Sequence, residues 1–216
     1  MALNINGTTG ISGVDGSVSA PAVTGTDSNT GITFPAADTI KFSTGGVERM
    51  AITNSGVTGI TAGITMADQW RITSTFNVSS NAYITANWER NDSAGYGKIG
   101  TGMSESSGEF SFPETGIYLV GINLTGNVDG DGFNFVACDI ETTINNSSYT
   151  GVAAVYESVD INNRHWAMAT EILFDVTDTS THKVKFKTYA SNTRPYVYGS
   201  SAHNTTFAHF TRLGDT

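Results

Sequence analysis

The chain of 216 residues carries a formal net charge of −9, and only 14% of it is charged, against roughly 25% in an ordinary globular chain. Gly, Ser, Thr and Asn supply 93 residues, Ile and Val 31, Leu five, Lys five and Gln one, so helix formers are scarce while strand and turn formers abound. These figures exclude a helical protein, charge-driven disorder and a basic nucleic-acid surface, and no run approaches the roughly 18 apolar residues of a membrane-spanning helix.

The single Cys138 rules out an intramolecular disulfide framework. The opening Met1-Ala2-Leu3-Asn4-Ile5-Asn6 has neither a basic nor an apolar leader region, which leads us to expect synthesis in the cytoplasm without a secretory signal. The expected class is all-β.

Residues 1–65 hold 11 glycines but only two aromatics, Phe34 and Phe42. Thr-Gly-Ile recurs at Thr9, Thr30 and Thr58, at unequal intervals that do not make a solenoid. Ile32-Thr33-Phe34 and Thr39-Ile40-Lys41-Phe42 read as short strands. Such a segment buries too little surface to offset its ordering entropy. It is expected to be an extended, Gly/Thr-rich β or irregular shaft, ordered by association with other copies or with a partner.

From residue 66 onward strands alternate with Gly, Asn, Asp and Ser clusters. The candidates are Trp70–Val78, Tyr83–Glu89, Lys98–Met103, Glu109–Phe112, Ile117–Leu124, Phe133–Thr143, Gly151–Val159, Trp166–Val176, Lys183–Ala190, Pro195–Tyr198 and Thr205–Leu213. Trp166, Met168, Thr170, Ile172, Phe174 and Val176 repeat with period two, which marks a strand rather than a helix. Lys183, Lys185 and Lys187 alternate with Val184, Phe186 and Thr188, the pattern of one polar and one buried sheet face. Ile117–Leu124 is apolar on both faces: Ile117 and Leu119 point one way, Tyr118, Val120, Ile122 and Leu124 the other. Such a strand needs a second cover, a flanking loop or a subunit interface. Roughly 10 strands over about 150 residues suit an antiparallel double-sheet jelly roll.

Two stretches carry a resemblance to known families. Residues 1–34 and the phrase Gly45-Gly46-Val47-Glu48-Arg49-Met50, followed by Ile52 and Asn54-Ser55-Gly56, resemble the N-terminal and shaft segments of tailed-phage virion proteins and fibres, notably those of cyanobacterial phages. FSFPETGIYLVGINL (Phe110–Leu124) and TTFAHFTRL (Thr205–Leu213) resemble the jelly-roll heads of the complement globular-head and tumour-necrosis-factor superfamily. That resemblance implies a homotrimeric head over residues 66–216, with Tyr118 and Phe207 on strands of the inner, threefold-facing sheet. We therefore expect Tyr118, Val120, Ile122 and Phe207 at a trimer interface. The family's collagen-like stalk is replaced here by the phage-type segment, and its calcium sites have no counterpart motif.

Chemistry-bearing residues are few. Cys138 has no local His or cation to activate it and is expected to be a buried structural thiol. His165, His182, His203 and His209 show no metal spacing. Asp129-Gly130-Asp131-Gly132 lacks the glutamate that a calcium loop needs at its twelfth position, where Ile140 stands, and reads as a polar turn. No nucleophile elbow or phosphate loop is present, so no catalytic residue, cofactor or metal is expected. Arg194, Tyr196, Tyr198 and His203, with Asn192 and Asn204 nearby, form a polar-aromatic cluster suited to a sugar or another surface ligand, or a tyrosine pair packing across strands.

The expectation is a non-enzymatic virion structural protein: a trimeric fibre on the capsid or tail surface, anchored to other virion proteins through residues 1–65. Its head would bind a host-surface glycan or protein. The alternatives are a capsid decoration or cement protein, or a glycan depolymerase using two carboxylates from among Glu157, Asp160, Glu171 and Asp175.

Overall fold

A computed structural model describes residues 4–6, 10–12, 15–59, 63–78, 81–128, 130, 133–159, 164–193 and 195–216. Among these residues there are strands and turns but no helix. The chain divides into two units, Met1–Gly63 and Ile64–Thr216.

In the first unit β1 (Asn4–Asn6) pairs with β2 (Gly10–Ser12), and β3 (Gly16–Ser17) with β4 (Ala20–Pro21). The strands β5 (Val23–Thr24), β6 (Gly31–Thr33), β7 (Ile40–Thr44), β8 (Val47–Thr53) and β9 (Gly56–Thr58) form a five-stranded sheet in chain order. Its turns follow from local chemistry. Gly45 and Gly46 take φ of 59° and 74°, the mirror-image turn that a two-residue hairpin loop requires. The Asp27 carboxylate accepts from the Thr30 hydroxyl at 2.7 Å and the Asn29 amide at 3.2 Å, closing the β5–β6 turn and holding its own pKa below the usual carboxylate value.

Register sets which residues share a face of this sheet. Val23 lies opposite Ile32, Ile32 opposite Phe42, and Phe42 opposite Met50, while Ile52 faces both Ile40 and Val57. Thr33, Lys41, Ala51 and Thr58 are paired along the other face. The burial is inverted: Thr33, Ser43 and Ala51 are buried, whereas Val23, Ile40, Ile52 and Val57 are exposed. Of the two states expected for the shaft, extended β or irregular, this segment takes the first.

The second unit is a double-sheet antiparallel jelly roll. One seven-stranded sheet orders β11 (Phe76–Asn77), β21 (Pro195–Val197), β16 (Gly116–Val128), β22 (Phe207–Gly214), β10 (Ala67–Ile72) and β13 (Trp88–Arg90), with β19 (His165–Val176) along the other edge of β16. The six-stranded sheet orders β14 (Ser104–Ser106), β15 (Glu109–Ser111), β20 (Lys183–Ala190), β17 (Phe133–Thr143) and β18 (Thr150–Val159), with β12 (Ala82–Tyr83) also on β20. The longest pairing joins β16 to β19 from Gly116–Val176 to Asn127–His165.

Three expected strands differ. Trp70–Val78 breaks after Ile72, where Thr73 donates its amide to Asn87 instead of a ladder partner. Tyr83–Glu89 shrinks to the separate strands β12 and β13. Lys98–Met103 is not a strand, because Gly100 and Gly102 take φ of 67° and 77°; only Ile99 bridges, to Ala67.

The core lies between the two sheets. Tyr118, Val120, Ile122 and Leu124 of β16 are fully buried there with Trp166, Met168, Ala208 and Phe210. Phe110 meets Phe210 at 5.0 Å, Trp88 at 5.1 Å, and Trp70 and Phe186 at 5.7 Å. Each such aromatic contributes about 1.5–3 kcal/mol on burial, with edge-to-face pairs adding to that. The Tyr118 hydroxyl donates to the Glu114 carbonyl at 2.8 Å, and burial pushes its pKa up to about 12. Asp68, buried in the same layer, accepts from the Met103 amide at 2.8 Å, Trp70 Nε1 at 3.0 Å and Arg90 Nε at 3.1 Å.

Candidate functional site: the outward face of the head

The seven-stranded sheet has a second face, turned away from the core. Along β16 it carries Ile117, Leu119, Gly121, Asn123 and Thr125, alternating with the buried row. Register places Leu173 and Thr211 beside Leu119, Glu171 and His209 beside Gly121, and Ala169 and Phe207 beside Asn123. Leu173 is 67% exposed, and with Leu119, Ala167, Ala169 and Phe207 it forms an open apolar strip interrupted by Asn123, Glu171 and His209.

His209 sits at the centre of this strip. A Cβ on Gly121 would come within 2.3 Å of its imidazole, so only glycine leaves the ring room. Its Nδ1 lies 3.5 Å from the Asn123 amide nitrogen and its Nε2 3.9 Å from Glu171 Oε2. Burial lowers its pKa below the ordinary 6.5, opposed in part by Glu171. Phe207 lies nearby, its ring 6.2 Å from that of His209 and tilted by 45°.

Of the residues expected at an interface, only Phe207 is on this face. Tyr118, Val120 and Ile122 have no exposed surface; their row is the one that closes the sandwich core, so they cannot touch a second subunit. The inward row of β16 is apolar throughout, whereas the outward row starts with Ile117 and Leu119 and continues through Gly121, Asn123 and Thr125. Leu119, Leu173, Gly121 and His209 lie on the outward face instead. The alternation of Ile117 and Leu119 was the signal for this face, but Leu173 and His209 arrive from strands 50 or more residues away by register alone.

The polar-aromatic cluster assembles in part. Tyr196 is paired with Asn127 and Asn77 in the β16–β21–β11 ladder. Tyr198 faces His165, with rings 5.8 Å apart and the hydroxyl 3.5 Å from Nδ1; the sequence had not joined these two. His203 belongs to the Ser200–His203 turn, where the Ser200 hydroxyl accepts its amide at 3.1 Å. Arg194, Asp129, Asp131 and Asp160 lie outside the described residues.

The opposite sheet presents the three lysines, each with a partner. Lys183 Nζ donates to Ser111 at 2.9 Å, Lys185 Nζ lies 3.2 Å from Glu109, and Lys187 Nζ 3.1 Å from Glu141. Tyr149 donates to Glu109 at 2.6 Å and Tyr83 to Glu141 at 2.5 Å, while Lys185 Nζ stands 4.3 Å from the Tyr149 ring centre. Burial and then the Glu141 carboxylate push the Tyr83 pKa up to about 12. The face is polar as expected, but Lys185 and Lys187 are tied to carboxylates and rings, and Lys183 to the Ser111 hydroxyl and Thr179 carbonyl, rather than free in water.

Cys138 is buried, and burial, reinforced by Asp139, pushes its thiol pKa up. Among the described residues no three His, Cys, Asp or Glu side chains converge as a metal site would require.

No known family model matches the chain, and no curated protein matches it in sequence. Solved structures match in shape. The Eiger TNF from S. frugiperda aligns with a TM-score of 0.54 at 12% identity, over 69% of this chain and 93% of that one. Murine APRIL aligns with a TM-score of 0.50 in structures at pH 8.5 and pH 5.0, at 12% and 13% identity, over 68% of this chain and 98% of that one. The fold is all-β with a TNF-like jelly roll.

Proposed function

We propose that this chain is a non-enzymatic structural subunit of a tailed-phage virion, a homotrimer whose jelly-roll heads pack through the outward face of the seven-stranded sheet. The observation that carries this reading is the open strip of Leu119, Leu173, Ala169 and Phe207, with Leu173 67% exposed. An antiparallel sheet normally gives one face to water and makes that face polar; here Leu119, Leu173, Ala169 and Phe207 stand among the polar Asn123, Glu171, His209 and Thr211 of that face. The TNF-like fold of the head and the phage-type phrases of residues 1–59 support the same reading. Residues 1–65 join the particle, and the head is presented to a glycan or protein of the host surface, with Tyr196, Tyr198 and His165 at the far end of the strands that carry Leu119 and Leu173.

Light scattering of the purified chain at micromolar concentration tests the assembly. The expected mass is three times 22.8 kDa, and a well-folded monomer overturns the trimer. Cryo-EM density of the intact particle tests the location. Heads projecting from capsid or tail support attachment, whereas heads lying flat across capsid subunits make the protein a cement instead.

A further inference from the structure

We infer that the apolar face of the N-terminal sheet is a second self-association surface, covered by the same sheet of other copies of this chain. This rests on the trimeric reading of the head. The face runs through Val23, Ile32, Phe42 and Met50 and through Ile40, Ile52 and Val57, joined strand to strand by register. Val57 is 55% exposed and Val23 50%. On the other face the small Ser43, Ala51 and Thr33 are buried, and the Thr33 hydroxyl has no hydrogen-bond partner among the described residues. A free-standing sheet buries its large apolar side chains and leaves threonine and serine in water. Here Val23, Ile40, Ile52 and Val57 are exposed and Ile32, Phe42 and Met50 only half-buried while the small residues are covered, which is the signature of a sheet seen without its cover.

The cover is another copy for two reasons. None of the seven side chains on the face carries a charge. The ion pair of the sheet, Lys41 with Glu48 at 2.6 Å, starts from the row of Thr33 and Ala51 instead. A charged partner therefore has nothing to read here, while an uncharged apolar face complements itself. The second reason is reach. The last strand of the sheet ends at Thr58 and the first strand of the head begins at Ala67. The intervening residues span at most about 30 Å even when extended. Heads held together thus keep their sheets at an effective concentration on the order of millimolar, so weak apolar contact is enough to close them.

Cysteine substitutions in the full chain test this, with the native Cys138 shielded by burial. Val57 and Thr58 are adjacent but on opposite faces of β9. In the Val57→Cys chain a short bismaleimide is expected to link subunits, and a water-soluble maleimide to label about tenfold more slowly than in Thr58→Cys, because access requires local opening. The pair Ile52→Cys and Thr53→Cys repeats the comparison on β8 should Val57→Cys fail to fold. If Val57→Cys labels as fast as Thr58→Cys while light scattering still gives a trimer, this inference falls and the head trimer stands. If Val57→Cys is shielded but never links subunits, the cover is not a second copy and the inference falls again. A monomer in light scattering overturns both.

Discussion

The imidazole of His209 occupies the space a side chain at position 121 would need: a Cβ there would lie 2.3 Å from Cε1 and 2.4 Å from Nε2. Burial against this bare stretch of β16 disfavours the protonated ring and lowers its pKa below the ordinary value, opposed in part by Glu171. Because the folded chain binds that proton less readily than the unfolded chain, stability is full above the ordinary value of 6.5 and falls as the pH drops through it. Denaturant midpoints taken between pH 7.5 and pH 5 are expected to decline for the native chain and to decline less for His209→Gln. Equal slopes would show that another group sets the acid response.

Gly121→Ala should push the imidazole off the strand at a cost of about 1–3 kcal/mol, the usual range for overpacking. The ring is a movable side chain rather than backbone, so the lower end of that range is expected. Urea titration measures the loss, and the variant's acid response should approach that of His209→Gln.

Leu173→Asp separates fold from assembly. At 67% exposure the side chain contributes little to the single head, so the thermal midpoint at a fixed monomeric state should barely move. A trimer that buries it, however, should lose about 2 kcal/mol or more per subunit and dissociate in light scattering. A stable Leu173→Asp trimer would place the interface elsewhere.

Arg71 is 1% exposed and saturated: Nε reaches Glu89 at 2.8 Å, Nη1 reaches Ser93 at 2.7 Å and Asn91 at 3.1 Å, and Nη2 reaches Asp92 at 2.6 Å. It pins residues 89–93 over β10. Removing one partner of a buried pair costs about 3–5 kcal/mol, and Arg71→Met is expected at the low end because Glu89 and Asp92 keep access to water. Asp92→Asn, on the exposed side, should cost under about 1 kcal/mol.

Gly126 meets fixed groups rather than a movable ring. A Cβ there would stand 1.9 Å from the Tyr196 carbonyl oxygen and 2.3 Å from Trp166 Cζ2. Gly126→Ala should therefore destabilise by about 3 kcal/mol or more, with a shift in tryptophan emission as Trp166 leaves its site.

Much of the head was legible because period two survives in the letters: Trp166 to Val176 and Lys183 to Ala190 are strands as expected. The same period reports two faces of Ile117–Leu124 without saying which is the core, and so Tyr118, Val120 and Ile122 were placed on the wrong side. Arg71 with Glu89 and Asp92, or Leu119 with Leu173, are partners across long stretches of chain. Only strand pairing brings them together, and no local pattern announces it. In residues 1–65, two short runs gave Ile32 and Phe42 as strand residues, but the five-strand meander depended on turns of mixed chemistry, Gly45-Gly46 in one and Asp27 in another, that no period in the letters reveals.

The order of the two units along the chain has a consequence for biogenesis. The sheet with its exposed apolar face leaves the ribosome before the head has been made. For that interval each new chain carries an uncovered face with nothing to hold another copy beside it. Yield should therefore be governed by a race between completion of the head and unproductive sticking of the sheet, and slower synthesis at low temperature should favour soluble protein.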